Sequence, residues 1–252
     1  IISPWNYPLI LTVSPLVEAL LAGNAVVLKP SEHTPLTTKL LKTVWDEATG
    51  RPELFQPVYG AGEVGSALVN SPQTDVICFT GSTAVGRKIA QACAPLFKPV
   101  ILELGGKDPM IILEDADINR TVEAAIWGGL SNAGQTCISV EQIFAHEKIY
   151  PKIVEKLSEE IKIKKSGVGD TPVGAISVDV SLEKIKQQIN DAKLNSEVIE
   201  GSADNGWFIP PSLVVNPPSE AKILQEETFG PVMTIHPFKS DKEAVELANK
   251  TG

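Results

Sequence analysis

The sequence predicts an α/β protein in which short parallel strands alternate with helices. Short apolar runs, typical of buried strands, are separated by segments whose apolar residues recur at helical spacing. Helix start and stop signals stand between the two kinds of segment. The 252 residues, 43% hydrophobic and 21% charged, are also enough to bury a core. The alternation indicates βαβ units and a parallel sheet covered by helices on both faces.

Local signals divide the first half of the chain into elements. Ser14 is placed to act as the N-cap of the first helix, Pro15 stands at its first helical position, and Gly23 predicts its end. The pattern continues with strands over 25–29, 55–59, 74–79 and 98–103 and helices over 35–49, 64–70 and 85–93. In the 35–49 helix one apolar face, assigned to core packing, consists of Leu36, Leu40, Leu41, Val44 and Ala48.

The same alternation continues in the second half of the chain. It predicts strands over 110–113 and 143–146 and helices over 118–130, 150–163 and 181–194. Ser240 and Glu243 form a capping box that opens a final helix. We interpret the Glu- and Lys-rich 150–163 helix as a solvated face and the Gly- and Asp-rich segment 166–179 as a surface loop. A change of content near Gly105 predicts two lobes, residues 1–104 and 105–252.

Charge and composition exclude several classes of protein. With 22 Lys and Arg against 31 Asp and Glu, the net charge is −9, which argues against a nucleic-acid or anionic-membrane partner. The most apolar stretch, 9–28, is interrupted by polar residues and follows no basic region, so we expect no membrane span and no signal peptide. The three histidines are isolated, and we expect no metal site. The three cysteines form no CxxC pair, which favours a reducing, cytoplasmic setting.

Cys137 is the cysteine whose setting is compatible with chemistry. It follows Gly134 on a loop between a predicted helix and a predicted strand, where small residues let a backbone approach a ligand. A nucleophilic thiol there needs a lowered pKa or a nearby base, and the local sequence leaves a packed loop thiol equally open. Cys78 lies in an apolar strand and Cys93 on a helix, so for both we favour a packing role.

Three further segments are candidates for ligand contact. Glu103 stands at the carboxyl end of a predicted strand, where α/β sheets bind ligands, although a charge simply emerging at the sheet edge is the favoured local interpretation. Residues 60–65 spell GxGxxG between a strand and a helix, but the acidic residue expected about 20 positions on is absent, which favours a plain tight turn. Gly81–Thr83 precedes a helix and fits either a phosphate site or an ordinary N-cap.

Six short motifs occur in order along the chain: WNYP (5–8), KPSE (29–32), FTGST (79–83), ELGGK (103–107), GQTC (134–137) and EETFGP (226–231). Together they resemble those of one family, the NAD(P)-dependent aldehyde dehydrogenases. The resemblance runs from Trp5 to the final helix. It implies a Rossmann-like cofactor-binding lobe over 1–104 and an α/β catalytic lobe over 105–252. Members of the family are longer at both ends, so the chain is interpreted as a fragment that lacks both termini, and its 166–206 region is short for the family.

The resemblance implies a catalytic role for three residues. Cys137 would attack an aldehyde carbonyl, and the Asn6 amide with the Cys137 backbone N–H would hold the oxyanion. Hydride would pass to the nicotinamide, and Glu103 would activate the water that releases the acid. The residues that would contact the cofactor are Trp5, Lys29, Glu32, Gly62, Ser82, Glu227 and Phe229.

The implied reaction is NAD-dependent oxidation of a small-molecule aldehyde to a carboxylic acid. Glu32 would accept from a ribose 2′-hydroxyl and repel a 2′-phosphate, so NAD is favoured over NADP. A homodimer or homotetramer is expected of the full-length form. Ile138–Val140 resembles lactaldehyde-, benzaldehyde- and semialdehyde-oxidising members, which leaves the substrate open. The alternative is a non-catalytic family member or fragment that serves as a binding or structural module.

Overall fold

The chain forms two compact units, described separately. A computed structural model describes residues 1–251. The first unit is Ile1–Gly105, and the second begins at Gly106. Both consist of strands connected by helices, and the predicted α/β class with a Rossmann-like sheet is confirmed.

The first unit is built on a parallel sheet. The strand β1 pairs with β2, and β3 pairs with β4. The backbone of Ile1–Ser3 lies between β1 and β3 and bonds to both, since the Ile2 N–H donates to Cys78 O at 2.8 Å and the Ser3 N–H to Lys29 O at 3.1 Å. The elements are α1 (Ile10–Leu21), β1 (Val26–Leu28), α2 (Pro35–Thr49), β2 (Phe55–Pro57), α3 (Gly62–Asn70), β3 (Ile77–Thr80), α4 (Thr83–Cys93) and β4 (Val100–Glu103).

Helix α1 begins earlier than the sequence predicts. The Leu11 N–H donates to Tyr7 O at 3.1 Å, so the first turn forms before Ser14, and Pro15 lies inside the helix. Pro15 is the sixth of the 12 helical residues, so its missing N–H removes one hydrogen bond inside the helix. The prediction of Ser14 as the N-cap was wrong, whereas Gly23, with φ of +86°, does lie just beyond the helix end.

Of the five residues in the predicted apolar face of α2, Leu41 packs on the core and the other four are exposed. Leu36 is 75% exposed and Leu40 is 66% exposed, whereas Thr38 is buried. The side of the helix that carries Leu41 and Trp45 packs instead against the core of β1 and β2. The helix bounds were predicted correctly, but four of the five residues assigned to the inner face were assigned wrongly, because helical periodicity alone does not fix which side meets the sheet.

The second unit contains a five-stranded sheet in the order β5–β6–β11–β10–β8. All neighbours are parallel except β8 and β10, which are antiparallel. Two further short strands, β7 and β9, pair with each other. The elements are β5 (Pro109–Ile112), α5 (Ile118–Leu130), β6 (Gln142–His146), α6 (Tyr150–Ile163), β7 (Lys165–Ser166), α7 (Asp179–Asn195), β8 (Glu197–Glu200), β9 (Ser202–Ala203), β10 (Ser212–Val215), α8 (Lys222–Gln225), β11 (Val232–Phe238) and α9 (Asp241–Ala248).

Two sequence interpretations of the second unit need correction. Helix α6 is amphipathic, because Ile153 and Leu157 are fully buried on one side of it. The segment 166–179 is not wholly a surface loop, since Val173 and Ile176 are each only 1% exposed and belong to the main core. In α6 the high charge content of one face conceals the buried residues on the other. In 166–179 the Gly and Asp residues that are typical of loops conceal the two buried apolar ones.

The remaining features concern membranes and metals. Along residues 1–251, none of the helices combines the length and the apolar character needed to cross a membrane. Within the same range, His, Cys, Asp and Glu nowhere gather in a group of three that could hold a metal ion.

Candidate active site

The candidate residues of the first unit follow the carboxyl ends of its parallel strands. Ligands bind at this edge in open α/β sheets because the chain leaves each strand there into a loop or helix start. Four strands and the Ile1–Ser3 segment contribute in this way. The candidates are Trp5 and Asn6 after Ile1–Ser3, Lys29 and Glu32 after β1, Gly62 after β2, Ser82 after β3 and Glu103 at the end of β4.

Lys29 and Glu32 form an ion pair at this edge. The buried Lys29 ammonium donates to Glu32 at 3.3 Å and to Pro30 O at 2.9 Å. A hydrogen bond from its own backbone N–H, with the charge of Lys29, holds the pKa of the Glu32 carboxyl below its usual range. Glu32 is exposed, so its ionised carboxylate faces solvent while it pairs with the buried Lys29 ammonium.

The GxGxxG segment has the strand-to-helix context that its pattern predicts. It connects β2 to α3, and Gly62 is the first helical residue. The Glu63 carboxylate accepts from the Ala61 N–H at 3.0 Å and so caps the turn with a negative charge of the protein itself. A carboxylate there opposes a phosphate, which supports the tight-turn interpretation.

Ser82 is the N-cap of α4. Its hydroxyl accepts from the Val85 N–H at 3.4 Å, and its side chain is exposed. The start of this 11-residue helix is therefore both capped and open to solvent. The preceding Gly81 is required by packing, because a Cβ there would lie 2.5 Å from the Phe79 ring.

Glu103 and Asn6 lie at the same edge of the sheet, Glu103 at the end of β4 and Asn6 after the Ile1–Ser3 segment. The Glu103 carbonyl accepts from the Gly81 N–H at 3.0 Å, and the side chain is exposed. Asn6 and Trp5 are half-buried on the segment that leads from Ile1–Ser3 into α1. The backbone that carries each of these side chains is ordered by the parallel sheet or by the start of a helix.

The candidate residues of the second unit lie at the opposite end of its strands. Cys137 precedes β6, and Glu227 and Phe229 precede β11, so both segments meet the amino edge of two hydrogen-bonded neighbours. The parallel register of β6 and β11 thus brings together two motifs that are far apart in sequence.

Cys137 sits in a tight turn that follows a strained one. The Ser139 N–H donates to Thr136 O at 3.0 Å, which closes a turn around the half-buried Cys137. Just before it, Asn132 (φ 52°), Ala133 (φ 57°) and Gly134 (φ 69°) are all left-handed. Non-glycine residues in this region cost about 1–2 kcal/mol each and tend to mark functional sites.

Gln135 ties this turn to the rest of the unit. Its buried amide donates to Asn132 O at 3.0 Å and to Ala175 O at 3.1 Å, and its oxygen accepts from the Ser177 N–H at 2.8 Å. The cysteine turn is therefore fixed by a side chain two residues away. The sequence indicates Gln135 only as part of the GQTC motif, and its buried position is not apparent from local sequence.

The Glu227–Phe229 segment is held by a buried charge that sequence analysis missed. Glu141 accepts from the Thr228 N–H and the Phe229 N–H, each at 2.8 Å, and pairs with Lys107. The sequence signal was a charged residue shortly before each of two apolar strands, Lys107 before β5 and Glu141 before β6.

Glu227 itself is half-buried, and its charge state responds to this setting. Burial, followed by the nearby Glu141 carboxylate, raises the pKa of Glu227, while Lys184, the Gly106 N–H and Lys107 act in the opposite direction. The carboxyl thus points toward several groups of the second unit and not simply into solvent.

The parallel sheet and the constrained cysteine turn define an α/β protein of the Rossmann-like class. The whole chain, residues 1–252, matches the family model described as the aldehyde dehydrogenase family. The chain therefore belongs to the aldehyde dehydrogenase family.

Individual relatives agree with this assignment. Betaine aldehyde dehydrogenase 1 of rice (Oryza sativa subsp. japonica) is 37% identical over 100% of the chain and 52% of its own length. The mitochondrial aldehyde dehydrogenase 2 of Saccharomyces cerevisiae is 40% identical over 99% of the chain and 51% of its own length. The NAD⁺ complex of an aldehyde dehydrogenase from Bacillus cereus superposes with a TM-score of 0.94 at 35% identity, covering 99% of this chain and 52% of that one. The chain spans about half the length of the curated relatives it matches.

Proposed function

We propose that the enzyme to which this chain belongs oxidises an aldehyde to a carboxylic acid, with Cys137 as the nucleophile. The observation that carries the proposal is the turn that presents Cys137. Three successive left-handed residues and the buried Gln135 amide hold it at the amino edge of the second sheet. Strain of this kind is retained where it serves a site.

Cys137 and Asn6 form and stabilise the first intermediate. The Cys137 sulfur attacks the aldehyde carbon to give a thiohemiacetal. The Asn6 side-chain amide and the Cys137 backbone N–H donate to the oxygen on which charge develops. Loss of hydride leaves a thioester on Cys137, and Glu103 takes a proton from the water that hydrolyses it, releasing the acid and the thiol.

NAD, when bound, supplies the acceptor for the hydride. At its adenosine end the residues are Lys29 and Glu32, whose adjacent ammonium and carboxylate suit a pair of ribose hydroxyls. Because its pKa is lowered, Glu32 stays ionised at neutral pH and would repel a 2′-phosphate, which favours NAD over NADP. Gly62 would lie near the adenine, Ser82 with the open start of α4 would meet the pyrophosphate, and Glu227 and Phe229 would meet the nicotinamide end. Trp5 would also contact the cofactor.

The assembly and the cell compartment follow from the same proposal. We expect residues 1–104 to act as the NAD-binding lobe and 105–252 as the catalytic lobe. The active form is a homodimer or homotetramer, and a reducing cytoplasm would keep the Cys137 thiol reactive. Nucleic acid is not a partner of so acidic a chain, which carries a net charge of −9.

The test compares Cys137→Ala with the wild type, both as this chain and in the longest polypeptide that carries it. NADH formation is followed with short, branched and aromatic aldehydes, and NAD binding is measured separately. We expect turnover to fall by about 1,000-fold or more while NAD affinity stays within a few-fold. Cys93→Ala, at a buried helical position, is the control and should leave turnover intact. Aldehyde oxidation by the Cys137→Ala variant would refute the nucleophile, and NAD binding without turnover by the wild type would favour a non-catalytic module.

A further inference from the structure

A buried ion pair lies at the amino edge of the second sheet. The side chains of Lys107 and Glu141 are each only 3% exposed, and the Lys107 ammonium also donates to the Thr228 hydroxyl at 3.0 Å. Lys107 precedes β5, Glu141 precedes β6 and Thr228 precedes β11, which are three adjacent parallel strands. The pair therefore connects the starts of three neighbouring strands.

The backbone around Glu141 is fixed on both sides. The Glu141 N–H donates to Asp108 O at 3.2 Å, toward β5, and the Thr234 N–H of β11 donates to Glu141 O at 3.0 Å. Its carboxylate consequently has little freedom to move. From this position it accepts from the backbone N–H groups of Thr228 and Phe229, each at 2.8 Å.

The segment that this carboxylate holds is not in a relaxed conformation. Phe229 has a φ of 56°, in the left-handed region that non-glycine residues seldom adopt. Two charge-assisted hydrogen bonds to consecutive amides stabilise such a turn and set the direction of the side chains on either side of it. Those side chains include Glu227 and the Phe229 ring.

A buried ion pair is poor evidence of a stabilising role. Removing two charges from water costs several kcal/mol per ion, and an apolar pair of similar volume is often equally or more stable. Stability alone therefore gives no reason for charges at these two positions. The hydrogen bonds that Glu141 makes to the 228–229 backbone are what an apolar pair would lack.

We propose that Lys107 and Glu141 are positioning residues that hold the 227–229 segment in the arrangement that receives the nicotinamide end of the cofactor. Glu141 supplies the acceptor for the two amides. Lys107 neutralises the Glu141 carboxylate, which otherwise would lie unpaired close to the half-buried Glu227. The identity of the ligand in this inference rests on the proposed function. The anchoring of the 227–229 segment by Glu141 is independent of it.

Two double variants separate positioning from stability. Lys107→Met with Glu141→Gln removes both charges but keeps an acceptor oxygen for the two amides. Lys107→Met with Glu141→Leu removes the charges and the acceptor. The first readout is hydrogen exchange of the amides in 226–231, with β10 as the internal reference. The second is kcat and the NAD KM for NADH formation, and the third is the unfolding midpoint.

We expect the leucine variant to keep its unfolding midpoint within a few degrees while the 228–229 amides exchange at least about tenfold faster. Its kcat should fall about tenfold or more with a smaller change in NAD KM, because the adenosine end is held elsewhere. The glutamine variant should retain amide protection and most of kcat. Glu114→Gln, in the exposed pair with Lys148, is the matched control and should change none of the three.

Other outcomes would overturn the inference. Equal amide protection in the glutamine and leucine variants would show that Glu141 does not anchor the segment. Loss of protection with kcat unchanged would show that the anchor does not serve the site. A wild type that neither binds NAD nor forms NADH would refute the proposed function. Faster amide exchange in the leucine variant would then still show that Glu141 anchors the segment. If the leucine variant does not fold, the Glu141→Gln single variant is compared with the wild type. A neutral amide oxygen accepts more weakly than a carboxylate, so slower exchange of the 228–229 amides in this variant would contradict the inference.

Discussion

Gly134 and Gly230 approach so closely that a Cβ on Gly134 would lie 2.0 Å from the carbonyl oxygen of Gly230. The turn that precedes Cys137 and the segment that follows Phe229 are therefore in backbone contact. Gly134 is also left-handed, with φ of +69°, so two independent constraints exclude a side chain there. The contact couples the position of the candidate nucleophile to that of the candidate nicotinamide contacts.

Gly134→Ala should be severely destabilising. A Cβ would meet backbone atoms that cannot rotate away, and the left-handed conformation adds strain, so we expect a loss of roughly 3–5 kcal/mol. Gly169 is the matched control, because its φ is +84° but a Cβ there meets nothing within 4 Å. Gly169→Ala should cost only about 1 kcal/mol. Denaturant unfolding measures both, and equal losses would show that the close approach to Gly230 carries no energetic weight.

Glu103→Gln should separate the two halves of the proposed reaction. The amide cannot take the proton of the attacking water, so acyl-enzyme should accumulate after one equivalent of NADH has formed. Rapid-mixing absorbance should show a burst followed by turnover about 100-fold slower than in the wild type. Glu53→Gln, in an exposed pair with Arg51, serves as the control carboxylate change. Unchanged steady-state turnover in Glu103→Gln would assign the water-activating role to another group.

Local signals in the sequence predicted the helices best. The bounds of α5 and α6 agree with the predictions at both ends, because the Asp117 cap in one and the amphipathic period in each are local properties. Strands β8, β10 and β11 were not predicted. Each is stabilised by pairing with another strand and not by signals of its own, as when Ser212 faces both Val232 and Glu200. Such pairing leaves little trace in a short apolar run.

The candidate site shows the same division between local and distant information. The motifs that contain Cys137 and Glu103 were found through a family resemblance, which depends on short contiguous stretches of sequence. The Lys107–Glu141–Thr228 cluster joins residues that are 34 and 121 positions from Lys107. Nothing in a single sequence indicates that these three meet, because parallel strands order themselves through the sheet and not along the chain.

Lys98→Met should weaken the first unit. The Lys98 ammonium donates to Val69 O and Ser71 O, both at 2.8 Å, and to the Thr74 hydroxyl at 2.7 Å. These acceptors lie at the end of α3 and in the loop before β3, so the Lys98 ammonium stabilises the connection between α3 and β3. Its removal should cost about 1.5–3 kcal/mol in denaturant unfolding. Lys88→Met, at an exposed position of α4, is the control, and an equal effect from both would exclude a specific role for Lys98.

His236 should make stability fall in mild acid. Burial, with a smaller effect of the Lys250 charge, lowers the pKa of His236 from 6.5 to about 4, and its Nε2 is buried without a partner among the described residues. Between these two values the unfolded chain binds the proton and the folded chain does not, so unfolding becomes easier as the pH falls from 6.5 toward 4. The full loss amounts to about 3 kcal/mol.

The substitution His236→Phe isolates this contribution. The ring already packs against Phe144, with centroids 5.9 Å apart, so a phenyl group fits the same surroundings. The variant should retain the general acid sensitivity of the carboxylates but lose the part that the buried imidazole causes. Denaturant unfolding at pH 7, 6 and 5 measures the difference between the two proteins, which should widen steadily toward pH 5. Parallel curves for wild type and variant would mean that His236 takes up its proton in the folded state as readily as in the unfolded chain.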